Sequence, residues 1–269
     1  MQRSSIFWGS ILIFIGGIFL LDSLGLFGEI NLWNIVWPSF LILLGMWAIL
    51  GYRRGRQPVE VEELALPLEG AQAAKVGIKF GAGRLQIGAG AAETELVNGQ
   101  FGGGVAQRVR REGDRTVADL RLPSQGFPIF IMPWNWGRWT GFDWTVNLNP
   151  EITLELVIDT GASEARLDLA DLKVSDLKVN TGASSTEITL PSSAGHTRVE
   201  VEAGAASVGI QIPTDVAAQI RAGGALVGIT VDKDRFPREG TYYQSPDFES
   251  AENKVEIKVN VGAGSVDVR

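Results

Sequence analysis

The chain has no cysteine, so no disulfide can staple it and no thiolate can hold a metal or act as a nucleophile. It has one histidine, His196, in the turn-like run PSSAGHTR, with no GxSxG, HExxH or ligand cluster around it. Basic charge is scarce as well: 24 Lys and Arg against 31 Asp and Glu give a net charge of -7 and a pI near 4.9, which argues against general nucleic-acid binding. The glycines of GAGRLQIGAGA lack a Walker lysine and a following helical pattern, and their internal LQI reads as strand, so a phosphate loop is not expected. Asp168, Asp171 and Asp176 lack the dense alternation of a calcium loop. Thr160, Thr181, Ser184 and Ser185 have no activating partner and suit corner hydrogen bonding. No acid, base, nucleophile or cofactor ligand can be nominated. The sequence predicts a protein that is not an enzyme, with no cofactor, metal or small-molecule substrate.

Long apolar runs, by contrast, are present. Residues 4–21 and 30–52 carry no charge, and each is close to the roughly 20 residues an α-helix needs to cross a hydrocarbon core. Only Arg3 precedes the first run and no small-x-small site follows it, so a retained span is expected rather than a cleaved signal. The short link between the runs holds Asp22 and Glu29 but no Lys or Arg, whereas Arg53, Arg54 and Arg56 close the second. That bias predicts a two-span hairpin over residues 1–56, with both termini and all that follows in the cytoplasm. Trp8, Trp33 and Trp47 suit the headgroup boundary, and Pro38 should bend the second span or delay its start. The three arginines are the membrane-flanking basic residues, suited to anionic headgroups, and the lipid bilayer is the first expected partner.

Residues 57–69 read as a charged connection, and residues 70–269 as one domain. Within it VGIKF, GRLQI, ITLELVI, EARLDL, SDLKVN, STEITL, TRVEVE, ASVGIQI, AQIRA, LVGITV, KVEIKVN and SVDV alternate apolar and polar residues, as half-buried strands do. Corner signals recur with them: TGAS at 160–163 and 181–184, EAGAAS at 202–207, RAGG at 221–224 and VGAGS at 261–265. Gly161, Gly182, Gly204 and Gly223 recur at intervals of about 20 residues, and Gly262 follows after close to two more steps. The expected fold is a transmembrane helical hairpin followed by an all-β domain, a repetitive β-roll or solenoid-like stack of short strands, two per repeat.

Two insertions interrupt the repeats. The first, residues 126–147, carries Trp134, Trp136, Trp139 and Trp144, which suit a cap over the end of the stack, a protein contact or a membrane contact. The second, residues 232–253, is polar, with Phe236, Tyr242, Tyr243 and Phe248 as anchors for a partner-binding loop or for a connection pinned to the roll. The four tryptophans with Tyr242 and Tyr243 are the candidate contact residues.

The run LIFIGGIFLLDSLG, with Trp37-Pro38 and LILLG after it, resembles the LiaI/LiaF-like transmembrane region. The remainder resembles the LiaF-type C-terminal region and related bacterial β-rolls, and the ending from Tyr242 to Val268 is similar to that family's closing segment. That resemblance implies a bacterial plasma-membrane regulator of cell-envelope stress signalling, since the best-known member of the family restrains a two-component sensor kinase. It implies a membrane sensor kinase as partner. A self-associating scaffold without kinase control is the alternative.

Overall fold

The computed structural model describes residues 37–38, 41–42, 61–123 and 142–269. The chain divides into two compact units, Met1–Arg56 and Gln57–Arg269. In the first, Trp37, Pro38, Leu41 and Ile42 are helical. Among the described residues no helix is long and apolar enough to cross a membrane; the two expected spans lie almost wholly outside them.

The second unit is built from β-strands. In chain order they are β1 (Val61–Pro67), β2 (Ala73–Ala89), β3 (Glu95–Gly102), β4 (Ala106–Glu112), β5 (Arg115–Arg121), β6 (Asp143–Leu148), β7 (Thr153–Asp168), β8 (Lys173–Thr189), β9 (His196–Gln211), β10 (Ala217–Val231), β11 (Arg238–Glu239), β12 (Tyr242–Gln244) and β13 (Lys254–Val268). The alternating runs read on either side of each glycine corner are halves of one continuous strand of 15 to 17 residues.

The pairing registers force these long strands to fold back on themselves. β7 and β8 run parallel with Thr153 opposite Lys173 and Asp168 opposite Thr189, so successive strands start side by side. Straight, 16 residues span about 53 Å, whereas the four-residue link after Asp168 reaches at most about 18 Å. The chain can return to its starting edge only if β7 doubles back near its middle. The burial pattern marks the place: Leu154, Leu156 and Ile158 are buried before the corner, and Ser163, Ala165 and Leu167 after it, so the alternation slips by one residue around Gly161. Without that slip the second limb would turn its apolar set to solvent. The link itself is a tight turn, with Leu172 N-H donating to Leu169 O and both leucines buried.

Stacking the bent strands builds a core of straight side-chain ladders. On the first limb Val76, Leu156, Leu177, Val199, Ile257 and Ile220 occupy one row, and on the second limb Leu85, Ala165, Thr186, Val208, Val266 and Ile229 occupy another. Outward rows alternate in charge instead. Lys75 lies 3.5 Å from Glu155 and Arg198 3.5 Å from Asp176, while Lys178 and Lys258 both reach Glu200, at 3.4 and 2.9 Å.

At the corners the glycines form a column. A Cβ on Gly182 would lie 2.8 Å from Gly161 O, one on Gly204 2.8 Å from Gly182 O, and one on Gly262 2.6 Å from Gly204 O. These are backbone approaches that only glycine permits. Gly223 stands apart, with nothing within 4 Å of the corresponding position.

Spatial order departs from chain order. The stack runs β2, β7, β8, β9, β13, β10, so the last strand is inserted between β9 and β10. Gly262 is therefore one step from Gly204 in space, not three. The segment after β10 supplies the slack for this crossing, and Asn253 fixes the landing: its Oδ1 accepts from Gly195 N and its carbonyl from Ala217 N.

The β2 end is closed by strands that the alternation pattern does not announce. β5 pairs with the first limb of β2 and β6 with the second; β4 lies outside β5, β3 outside β6, and β1 outside β3. Residues 61–67, read from sequence as connection, are thus an edge strand with Leu66 buried. Likewise residues 143–147, read as insertion, are strand β6. Asn149 locks this end. Fully buried, its amide donates to the carbonyls of Ala92, Glu93 and Glu95 at 2.7 to 3.3 Å, and its Oδ1 accepts from Glu151 N.

Candidate interaction surfaces

Trp144 is a core residue, which corrects its place among the contact candidates. It is 0 % exposed, its ring centroid lies 4.9 Å from that of Phe101 in an edge-on arrangement and 5.3 Å from that of Phe80, and its indole N-H donates to Gly102 O. The local reason is parity: Trp144, Val146 and Leu148 are the inward positions of β6, and the indole is large enough to fill the space between two limbs. Trp134, Trp136, Trp139, Arg53, Arg54 and Arg56 lie outside the described residues.

Tyr242 and Tyr243 lie in the short β11–β12 hairpin, which covers the first limb of β10 by pairing Tyr243 with Ile220 and Gln244 with Gln219. Both rings are half-buried and each faces an arginine, Arg221 at 5.7 Å from the Tyr242 ring and Arg238 at 5.9 Å from that of Tyr243. The Tyr242 hydroxyl donates to Glu239. Phe236 and Phe248 are buried and pin the segment to the stack.

Sequence reasoning passed over Arg235. Its guanidinium donates to the carbonyls of Ile212, Pro213 and Val216 and lies 4.9 Å from the Phe236 ring, tying the crossing segment to the turn between β9 and β10. An arginine in DKDRFPRE carries no sequence signal for that role, because the carbonyls it finds are about 20 residues away in the chain.

One shallow groove of about 480 Å3 runs beside the glycine column, lined by Asp159, Asn180, Glu202 and Asn260 with Thr160, Thr181 and Ala203. Asn180 donates to Asp159 at 2.7 Å and Thr160 to Thr181 at 2.9 Å, so the wall satisfies much of its own polarity. Among the described residues no group of three or more His, Asp or Glu is placed to hold a metal. His196 opens β9 with its Nε2 3.2 Å from Glu256, part of an outward row rather than a catalytic pair. Two carboxylates are held below their ordinary value of 4.5: Glu155 chiefly by its hydrogen bond from Arg115, and Glu200 chiefly by that from Lys258 and then Lys178. Both lie on the ion-paired outer faces, so their perturbation belongs to the stack and not to a cleft.

Known proteins agree with this geometry. Residues 1–57 match the LiaF transmembrane domain, and residues 55–211 match the N-terminal domain of toast_rack, DUF2154. No curated protein matches the chain. A solved structure described as a candidate cell adhesion protein from Clostridium sporogenes is similar in fold, with a TM-score of 0.68 at 19 % identity over 78 % of this chain and 98 % of its own. Neither family description names an enzymatic activity. With the LiaF transmembrane domain at one end and a glycine-cornered stack of bent strands at the other, this chain belongs to the toast_rack N-terminal domain family and is a membrane-associated, LiaF-like protein.

Proposed function

We propose that the protein is a non-enzymatic, membrane-anchored regulator of cell-envelope stress signalling whose β stack acts in the cytoplasm on a membrane sensor kinase. The observation that carries the reading is the direct join: the match to the LiaF transmembrane domain ends at residue 57, and the toast_rack match begins at residue 55. The two matched ranges meet in the chain. A stack tethered so closely to a bilayer is held in a thin layer with any membrane partner, which raises its effective concentration and lets weak contacts act. Its rows of ladders and ion pairs make it a rigid platform, and it shifts a kinase only by touching two kinase conformations unequally. The contact surfaces are the insertion with Trp134, Trp136 and Trp139 and the hairpin with Tyr242 and Tyr243. Arg53, Arg54 and Arg56 hold the two-span hairpin with the stack inside the cell.

The test begins with topology, using single cysteines in place of Ser23 and His196, a membrane-impermeant thiol reagent and intact cells. Labelling at Ser23 alone supports the reading, and labelling at His196 alone ends it. Deletion of the gene should then change the output of an envelope-stress reporter. A scaffold without kinase control is the second reading, favoured by a strand edge of the stack that no strand among the described residues covers; it predicts an unchanged reporter.

A further inference from the structure

The stack ends unevenly. The first limb of β10 is covered by β12, yet among the described residues no strand pairs with the outer edge of the second limb, from Gly224 to Val231. That limb reads GALVGITV, without a charge or a proline. Leu226 is 78 % exposed, and Ile229, the last member of an inward row whose other rungs are buried, is 37 % exposed. An open edge of this composition is what soluble β proteins normally block. The other outer strands of this domain are blocked: β4 by Arg108, Arg110 and Arg111, β1 by Glu62, Glu63 and Pro67, and β11 by Arg238 and Glu239.

We infer that the second limb of β10 is a self-association surface, where two copies of this chain join their stacks end to end by antiparallel pairing across a two-fold axis. A strand paired with its own copy needs no complementary charge, and this limb has none to offer or to oppose. The ladders fix the parity of the register. Val227, Ile229 and Val231 continue the inward rows, so inward residues must meet inward residues if the two cores are to become one. Overlap of Ala225–Val231, which keeps Val231 paired, then places Gly228 opposite Gly228 on the axis, Leu226 opposite Thr230, and Val227 opposite Ile229. Pairing buries the exposed end of the Ile229 row and satisfies the free edge of the backbone ladder. The inference rests on the stack alone and stands whether or not the partner kinase exists.

The absence of cysteine makes the test clean. Single cysteines are placed at Gly228, Leu226 and Thr230 in the full chain in its native membrane, followed by mild oxidation and non-reducing gels. The Gly228 position accepts a side chain, since a Cβ there meets nothing nearer than Gly264 O at 4.0 Å. Gly228→Cys should give disulfide dimer at about ten times the yield of Leu226→Cys or Thr230→Cys, because only on the axis do identical Cα atoms come within the 4.4–6.8 Å that a disulfide spans. The double variant Leu226→Cys/Thr230→Cys should cross-link as well as Gly228→Cys. Adding Leu226→Lys to Gly228→Cys should remove the dimer while leaving the thermal melt of the protein in place, since Leu226 lies in solvent within one copy. A flat cross-linking profile would overturn the inference, as would a dimer indifferent to Leu226→Lys. So would a monomer whose 226–230 amides are protected from exchange, which would mean that another part of the same chain covers the edge.

Discussion

Gly204→Ala should destabilise the protein and Gly223→Ala should stabilise it, although both glycines sit in near-identical corner sequences. At Gly204 the new Cβ falls 2.8 Å from Gly182 O, against an ordinary contact of 3.4 Å or more. The obstacle is backbone inside a paired ladder, so no side-chain rotation relieves it, and Gly204 O is in turn the close neighbour of Gly262. Overpacking of this kind costs about 1–3 kcal/mol. The entropy removed from the unfolded chain returns about 0.4–1 kcal/mol. The net loss is up to about 2.6 kcal/mol, centred on about 1.3 kcal/mol, which for a domain of this size lowers Tm by up to roughly 10 °C. At Gly223 nothing lies within 4 Å and the backbone is not in the left-handed region, so only the entropic gain remains and Tm should rise by roughly 1–4 °C. The assay is a thermal melt of the detergent-solubilised full chain, followed by the far-ultraviolet circular dichroism of the strands. Equal shifts for the two variants, or a gain for Gly204→Ala, would refute the glycine column as the organiser of the corners.

Asn149→Ala should cost about 2–3 kcal/mol, since the carbonyls of Ala92, Glu93 and Glu95 lose their donor inside the protein, and Asn149→Asp should cost more by turning an acceptor towards them; the same melts measure both. Trp144→Ala should lose about 3–5 kcal/mol and abolish the near-ultraviolet signal of the packed indole, whereas a surface tryptophan would lose almost nothing. Arg235→Ala should speed amide exchange in residues 212–216 and 232–237 while leaving β7 and β8 unchanged, because it cuts the tie between the crossing segment and the β9–β10 turn. Glu155 and Glu200 have folded values below 4.5, so the unfolded chain binds protons first: their contribution is whole above pH 4.5 and is lost as pH falls below it. Lys258 is raised above 10.5 by Glu200, so its contribution is whole below pH 10.5 and is lost above it. A stability profile against pH should therefore fall at both ends, and Glu200→Gln should flatten both slopes; a Glu200→Gln profile that matches the parent would refute the coupling.

Local chemistry is what a sequence states openly, and here it stated the repeat. Alternation over VGIKF or KVEIKVN needs only one buried face, and glycine at 161, 182, 204 and 262 needs only a tight corner, so strands and corners could be read without coordinates. The candidate contacts were less legible. Trp144 looked like its neighbours in a tryptophan-rich run, and only the parity of β6 sends its ring into the core. The edge strand β1 and the cap strands β3, β4 and β5 were missed because residues such as Arg108 to Glu112 lie exposed on both faces and leave no alternation to see.

What the sequence alone determined, then, is the two apolar runs, the half-buried strands and the roughly 20-residue period, since each follows from neighbours in the chain. Only the tertiary structure decided that each repeat is one strand folded back on itself, that β13 lies between β9 and β10, that Gly223 stands outside the column, and that no strand among the described residues covers the second limb of β10. Those outcomes depend on which rung stacks on which. A parallel ladder is closed by backbone groups that every residue carries and by connections long enough to permit more than one order, so side-chain pattern can specify the rungs without specifying their sequence in space.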